Sequence, residues 1–168
     1  MLDQTSMDET ADRLAIMDKI YRYCRSVDRL DVAVGHSVFH EDSTADFGES
    51  YKGTGRGWID YICVRHKDFL HHSHQVTNII IEIDGDRAGS ESYVFATLHR
   101  QDGDKIILHE IWARYVDTWS KRDGDWAIDH RDCIVDYGSM REVEPIPGDP
   151  RSRRDASDLS YAVLKGPR

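Results

Sequence analysis

Residues 76–98 read VTNIIIEIDGDRAGSESYVFATL, and this stretch decides the fold. Its halves, Val76–Ile83 and Arg87–Leu98, are rich in β-branched and aromatic residues, the composition of a pleated, half-buried surface. Between them sits Asp84-Gly85. An Asp-Gly pair between strand-like runs is a strong hairpin signal, because a type I′ turn needs positive φ at both central residues. The same punctuation recurs at Asp102-Gly103 and Asp123-Gly124, setting off Lys105–Trp119 and Trp126–Tyr137. The pattern predicts an antiparallel meander of four long strands, which must twist and curl in a small domain.

Upstream of the meander the period becomes helical. Leu14, Met17, Tyr21 and Cys24, with Ile16, Ile20, Tyr23 and Val27 beside them, predict a helix over 7–30. Asp8 and Asp12 suit the positive end of its dipole. Asp31–His40 reads as a second helix, Tyr51–Gly57 as a glycine-marked loop, and Trp58–Leu70 as another amphipathic helix. Helices first and a curled meander after make an α+β domain. Its expected span is 1–138. The remainder, 139–168, carries Pro145, Pro147, Pro150 and Arg151-Ser152-Arg153-Arg154, and reads as an arm, disordered or packed on a neighbouring subunit.

A length of 168 residues argues for one compact domain. Lys and Arg total 22 against 31 Asp and Glu, a net charge of −9, which opposes nucleic acid or an anionic membrane as partner. No apolar run approaches the roughly 18–20 residues that span a bilayer, and the acidic start is unlike a secretory signal. Cys24, Cys63 and Cys133 form neither a CxxC pair nor an even framework, so a reducing cytoplasm is expected. Lys105–Trp119 is apolar on both faces: Ile107, Ile111 and Tyr115 on one, Ile106, Leu108, Trp112 and Val116 on the other. One face can cover the helices, and the other calls for a second cover, a neighbouring subunit.

Asp28 shares an ideal helical stripe with Met17, Tyr21 and Cys24. A carboxylate on an apolar stripe loses hydration unless something pairs with it, although Asp28 could equally cap the following segment. In His71-His72-Ser73-His74, the first two histidines read as solvated. His74, directly before the apolar run, can enter the cavity that the sheet encloses. A neutral histidine facing a buried carboxylate is a base with a fixed tautomer. His72 and His74 resemble the start of a cupin metal site, but the next glutamate is only Glu82, HExxH is absent, and no metal is expected. His99, His109, His130 and Arg131 lie within strand-like runs, where each is either a satisfied core or rim residue or part of a site. Serine-nucleophile elbows, Walker loops and GxGxxG are absent, which disfavours hydrolase and nucleotide chemistry.

Tyr23-Cys24-Arg25-Ser26-Val27-Asp28, followed by His74-Gln75-Val76-Thr77-Asn78, resembles the SnoaL-like branch of the NTF2-like superfamily over roughly residues 8–138. The similar members are scytalone dehydratase, bile-acid dehydratase and hexachlorocyclohexane dehydrochlorinase. The resemblance implies a cone-shaped α+β barrel whose helices close a strongly curved antiparallel sheet around an apolar pocket, and a trimeric assembly. It also implies that Asp28 and His74 are the Asp–His dyad of these lyases, with His74 as general base. Trp126, Arg131, Cys133-Ile134 and Tyr137 repeat the dehydrochlorinase pattern, so Arg131 matches the arginine that assists the leaving group. His99 has the spacing of a second dehydratase histidine, and Tyr23 matches a tyrosine before the aspartate. On an ideal helix Tyr23 points about 140° from Asp28, so its role would require the helix to unwind. Val27 replaces the tyrosine that directly precedes the aspartate in scytalone dehydratase.

The expected function is a cofactor-independent, dehydratase-like lyase acting on a small apolar cyclic carbonyl compound. His74 would take the α proton, and His99 or Arg131 would assist departure of hydroxide or halide. The alternatives are an isomerase using the same base, or a non-catalytic module such as the small subunit of a ring-hydroxylating dioxygenase.

Overall fold

The computed structural model describes residues 4–145 and 151–164. Helix α1 (Gln4–Arg29) leads into α2 (Val32–His36), strands β1 (Phe39–Asp46) and β2 (Lys52–Thr54), and helix α3 (Gly55–Arg65) with a single 3₁₀ turn, His66–Asp68. The meander follows as β3 (His71–Asp84), β4 (Arg87–Asp102), β5 (Lys105–Arg122) and β6 (Asp125–Val143), and α4 (Leu159–Val163) lies beyond it. The strands form one curved, unclosed sheet in the order β2-β1-β6-β5-β4-β3, antiparallel except where β1 runs parallel to β6. The α+β architecture is therefore the expected one, with a sheet of six strands. The helix expected over 31–40 ends instead at His36, its last two residues opening β1, and β2 lies where a loop was expected; Phe39–Asp46 pairs with β6.

All three hairpins close on two residues. Asp123 and Gly124 have φ of 52° and 83°, the type I′ signature. In the other two loops, Gly85-Asp86 and Gly103-Asp104, only the glycine has positive φ, the pattern of a II′ turn. There the aspartate before the glycine belongs to the strand. The meander itself is unchanged, since both primed turns match the strands' twist.

Helix α1 is continuous and buries Ile16, Ile20, Tyr23, Cys24 and Val27 against the concave face of the sheet. Leu14 and Tyr21 are exposed, so the buried stripe lies to one side of the expected one. Asp12 does not serve the helix dipole. It accepts hydrogen bonds from Lys121 Nζ (2.8 Å) and Trp126 Nε1 (2.9 Å), tying α1 to the sheet. No described helix is long and apolar enough to cross a membrane.

Bulges bend the long strands. One falls between Thr77 and Ile80, where Asn78 has a φ of 50°. Two more let Asp129 and Asp136 of β6 interrupt the ladder to β5. Each bulge resets which residues face inward and increases the twist.

The strand β6 continues past the expected boundary at residue 138, pairing down to Val143 opposite Ile106. Residues 151–164 fold back on their own chain. Tyr161 donates to Asp31 (2.7 Å), its ring lies 4.5 Å from the Arg25 guanidinium, and Arg29 meets Asp158 at 3.6 Å. Pro147 and Pro150 of the expected arm lie outside the described residues.

Candidate active site

Asp28 sits in the last turn of α1, and His74 near the start of β3. The His74 ring Nδ1 lies 2.7 Å from Asp28 Oδ1, and its backbone N–H donates to Oδ2 at 3.0 Å. One carboxylate thus fixes both the strand and the imidazole it carries. Both side chains are largely buried, at 10% and 13% exposure. A carboxylate can only accept here, so Nδ1 carries the proton and Nε2 keeps its lone pair.

His74 forms part of the wall of a cavity of about 270 Å³ between the concave sheet and α1 and α3. Most of the lining is apolar. The polar side chains that join His74 include Tyr23, Ser50, Tyr61, Arg65, His66 and Tyr115. Tyr23 is one of them, and it reaches the cavity without any unwinding of α1. Trp58 Nε1 donates to Tyr23 Oη at 2.8 Å. Because that lone pair is occupied, the phenol proton is free to be donated elsewhere. Burial raises the Tyr23 pKa, so the phenol stays protonated.

Arg131 is not at the cavity surface. It is fully buried and grips Asp117 through Nε and Nη2 at 2.7 and 2.8 Å. Its guanidinium lies 4.1 Å from the Tyr23 ring centroid and 4.2 Å from that of Tyr115, and both rings belong to the cavity wall. Burial alone would lower its pKa, but the charge and hydrogen bonds of Asp117 outweigh burial and raise it. Arg131 is expected to assist a leaving group; in the structure two tyrosines, Tyr23 and Tyr115, stand between its guanidinium and the cavity.

His99 is likewise set apart from the cavity. Ala96 pairs with His74 across the ladder and faces inward with Val94 and Leu98, which puts His99 on the convex face beside His71. Spacing from His74 could not reveal this, because facing depends on strand register. His72, expected to be solvated, is buried, and its Nε2 donates to the Val27 carbonyl at 2.9 Å.

His66 is a cavity residue that the sequence reading did not single out. In the 3₁₀ turn after α3, it is 5% exposed and stacks beside His74 with ring centroids 5.7 Å apart. A signal was present: Ile59, Cys63 and His66 follow helical spacing along the buried face of α3. Among the described residues no group of three His, Cys, Asp or Glu side chains is arranged to hold a metal ion. Burial pushes the Cys24 and Cys133 thiols up to about 12 and Cys63 up to about 11, so none supplies a thiolate at neutral pH.

A SnoaL-like domain family model matches residues 8–132. Among solved structures, a type 2 hexachlorocyclohexane dehydrochlorinase superposes with a TM-score of 0.72 at 20% identity, covering 86% of this chain and 97% of its own. A protein named as a scytalone dehydratase from Novosphingobium aromaticivorans gives 0.69 at 21%, covering 84% and 97%. A protein named as an aromatic ring hydroxylase from the same species gives 0.67 at 23%, covering 80% and 94%. Comparison with curated proteins finds no match. At these identities the superpositions speak for the fold alone.

Proposed function

The chain belongs to the SnoaL-like domain family, and on that premise we propose that it is a cofactor-independent lyase that eliminates a β-leaving group from a small, mostly apolar cyclic carbonyl compound. The observation that carries this reading is the 2.7 Å contact between Asp28 and His74 at the wall of an apolar cavity. His74 Nε2 takes the proton α to the carbonyl. The C–H pair becomes the carbon–carbon double bond of an enolate, and Asp28 stabilises the imidazolium. As the enolate collapses, the β carbon–oxygen bond breaks and the departing hydroxide takes the proton back from His74. Tyr23 offers its phenol proton to a substrate oxygen. With no leaving group the same base gives an isomerase, and the dehydrochlorinase and dehydratase names among the neighbours support elimination. The three free cysteines suit a reducing cytoplasm.

The test is proton exchange in deuterated water with β-tetralone and a panel of β-hydroxy cyclic ketones. The protein is expected to speed α-deuterium incorporation into β-tetralone and to dehydrate at least one hydroxyketone. No exchange across the panel would replace this reading with a binding module.

The convex face supports self-association, with a trimer proposed. Phe95, Trp112 and Tyr137 form a continuous stack there, with centroids 4.7 and 4.6 Å apart, and Tyr93 and Ile134 are exposed beside it. Light scattering is expected to give about three times the 19.4 kDa chain mass, and Trp112→Arg to give a monomer. A wild-type monomer at micromolar concentration contradicts this.

A further inference from the structure

His66 has one ring nitrogen sealed and one not. Its Nδ1 is buried without a hydrogen-bond partner, while Nε2 is not among the sealed atoms, and the residue lines the cavity. The proton must sit on one of the two. A sealed N–H without an acceptor is rarer and costlier than a sealed lone pair without a donor. The favoured tautomer therefore carries its proton on Nε2, and the donor this cavity-lining residue has to offer is that N–H.

His66 is anchored through its backbone, and its ring lies against that of His74. Its backbone carbonyl accepts from Arg154 Nη1 at 2.7 Å and from the Phe69 N–H at 3.2 Å, and its face lies nearly parallel to His74, at 22°. Burial, with His72, His74 and Arg154 nearby, holds its pKa down to about 3, so the ring is neutral at physiological pH. A neutral imidazole donates a hydrogen bond without adding a second cation beside the one that forms on His74. The α carbon and the carbonyl oxygen of one substrate are two bonds apart. Two neighbouring rings, one with a free lone pair and one with a free N–H, can reach both at once. His74 and His66 are such a pair.

We infer that His66 binds the substrate, its Nε2–H donating to the carbonyl oxygen that becomes the enolate oxygen when His74 takes the α proton. This rests on His74 being the base, and it narrows the substrate to carbonyl compounds. His66 gives up no proton: the carbonyl π pair moves onto an oxygen already hydrogen-bonded, and returns when the leaving group departs.

The probes are β-naphthol, whose oxygen mimics the enolate, naphthalene, which lacks that oxygen, and β-tetralone exchange. His66→Phe is expected to weaken β-naphthol about tenfold, leave naphthalene unchanged, and slow exchange by roughly 10²-fold, the scale for losing one such donor. His66→Gln, which keeps an N–H, should recover most of the β-naphthol affinity. Heteronuclear NMR of the wild-type imidazoles should show His66 protonated on Nε2, with that proton shifting when β-naphthol binds. This reading needs no variant to fold. A His66 proton on Nδ1, no shift with β-naphthol, or wild-type affinity and exchange in His66→Phe would overturn the inference. If His74→Ala keeps exchange while His66→Phe loses β-naphthol, His66 stands and the base is misassigned.

Discussion

His74→Ala is expected to lose on the order of 10²–10⁴-fold in α-proton exchange while keeping the fold, the range for removing a positioned general base. The fold should survive because His74 is at the cavity wall, and its backbone N–H still reaches Asp28 Oδ2 without the ring. Asp28→Asn should cost most of the activity too. An amide can offer its NH₂ where the carboxylate only accepts, so it neither holds the tautomer nor stabilises the imidazolium. The double variant should be little worse than either single one, since the two residues act as a unit. Exchange rates by proton NMR, with circular dichroism as the fold control, decide this. Wild-type exchange in His74→Ala would make the pair structural.

Asp117→Ala is expected to be strongly destabilising. It strands the Arg131 guanidinium, which has no exposure, with both of its hydrogen-bonded oxygens gone. Breaking a buried pair in this way costs about 3–5 kcal/mol. In a domain of this size that lowers Tm by roughly 6–20 °C, at about 2–4 °C per kcal/mol. Replacing both partners with apolar residues, Arg131→Met with Asp117→Leu, should recover much of the loss, because no charge is then left buried. Urea or thermal unfolding measures both, and a melt of Asp117→Ala within a degree of wild type would contradict the assignment.

The long helix and the four meander strands were legible because their signals are local: a helical period and a glycine at each turn. The meeting of Asp28 and His74 was legible for a related reason, since each sits at the end of an apolar run where a polar side chain needs a partner. What was not legible from local pattern was strand parity. Alternation counted from Trp126 and Ile128 would put His130 inward and Arg131 outward, and only the irregularity at Asp129 turns Arg131 into the core. His99 could be placed only through its register with His71. β1 was misread because Phe39-His40-Glu41-Asp42-Ser43-Thr44 lacks clean alternation, and its partner β6 is remote in sequence. His66 continues the buried spacing of Ile59 and Cys63, but that spacing alone does not separate a core histidine from a cavity one.

The burial of Arg131 behind two rings gives the cavity a standing electric field. With Asp117 the pair has no net charge, yet it is a dipole locked in a medium of low dielectric constant. Its positive pole is the nearer one, because Tyr23 and Tyr115, against which the guanidinium packs, belong to the wall and Asp117 does not. Negative charge gathering in the cavity is met by a pole that needs no reorientation and sheds no water. On the proposed reading, the protein bears that reorganisation cost once, when it folds, rather than in each turnover.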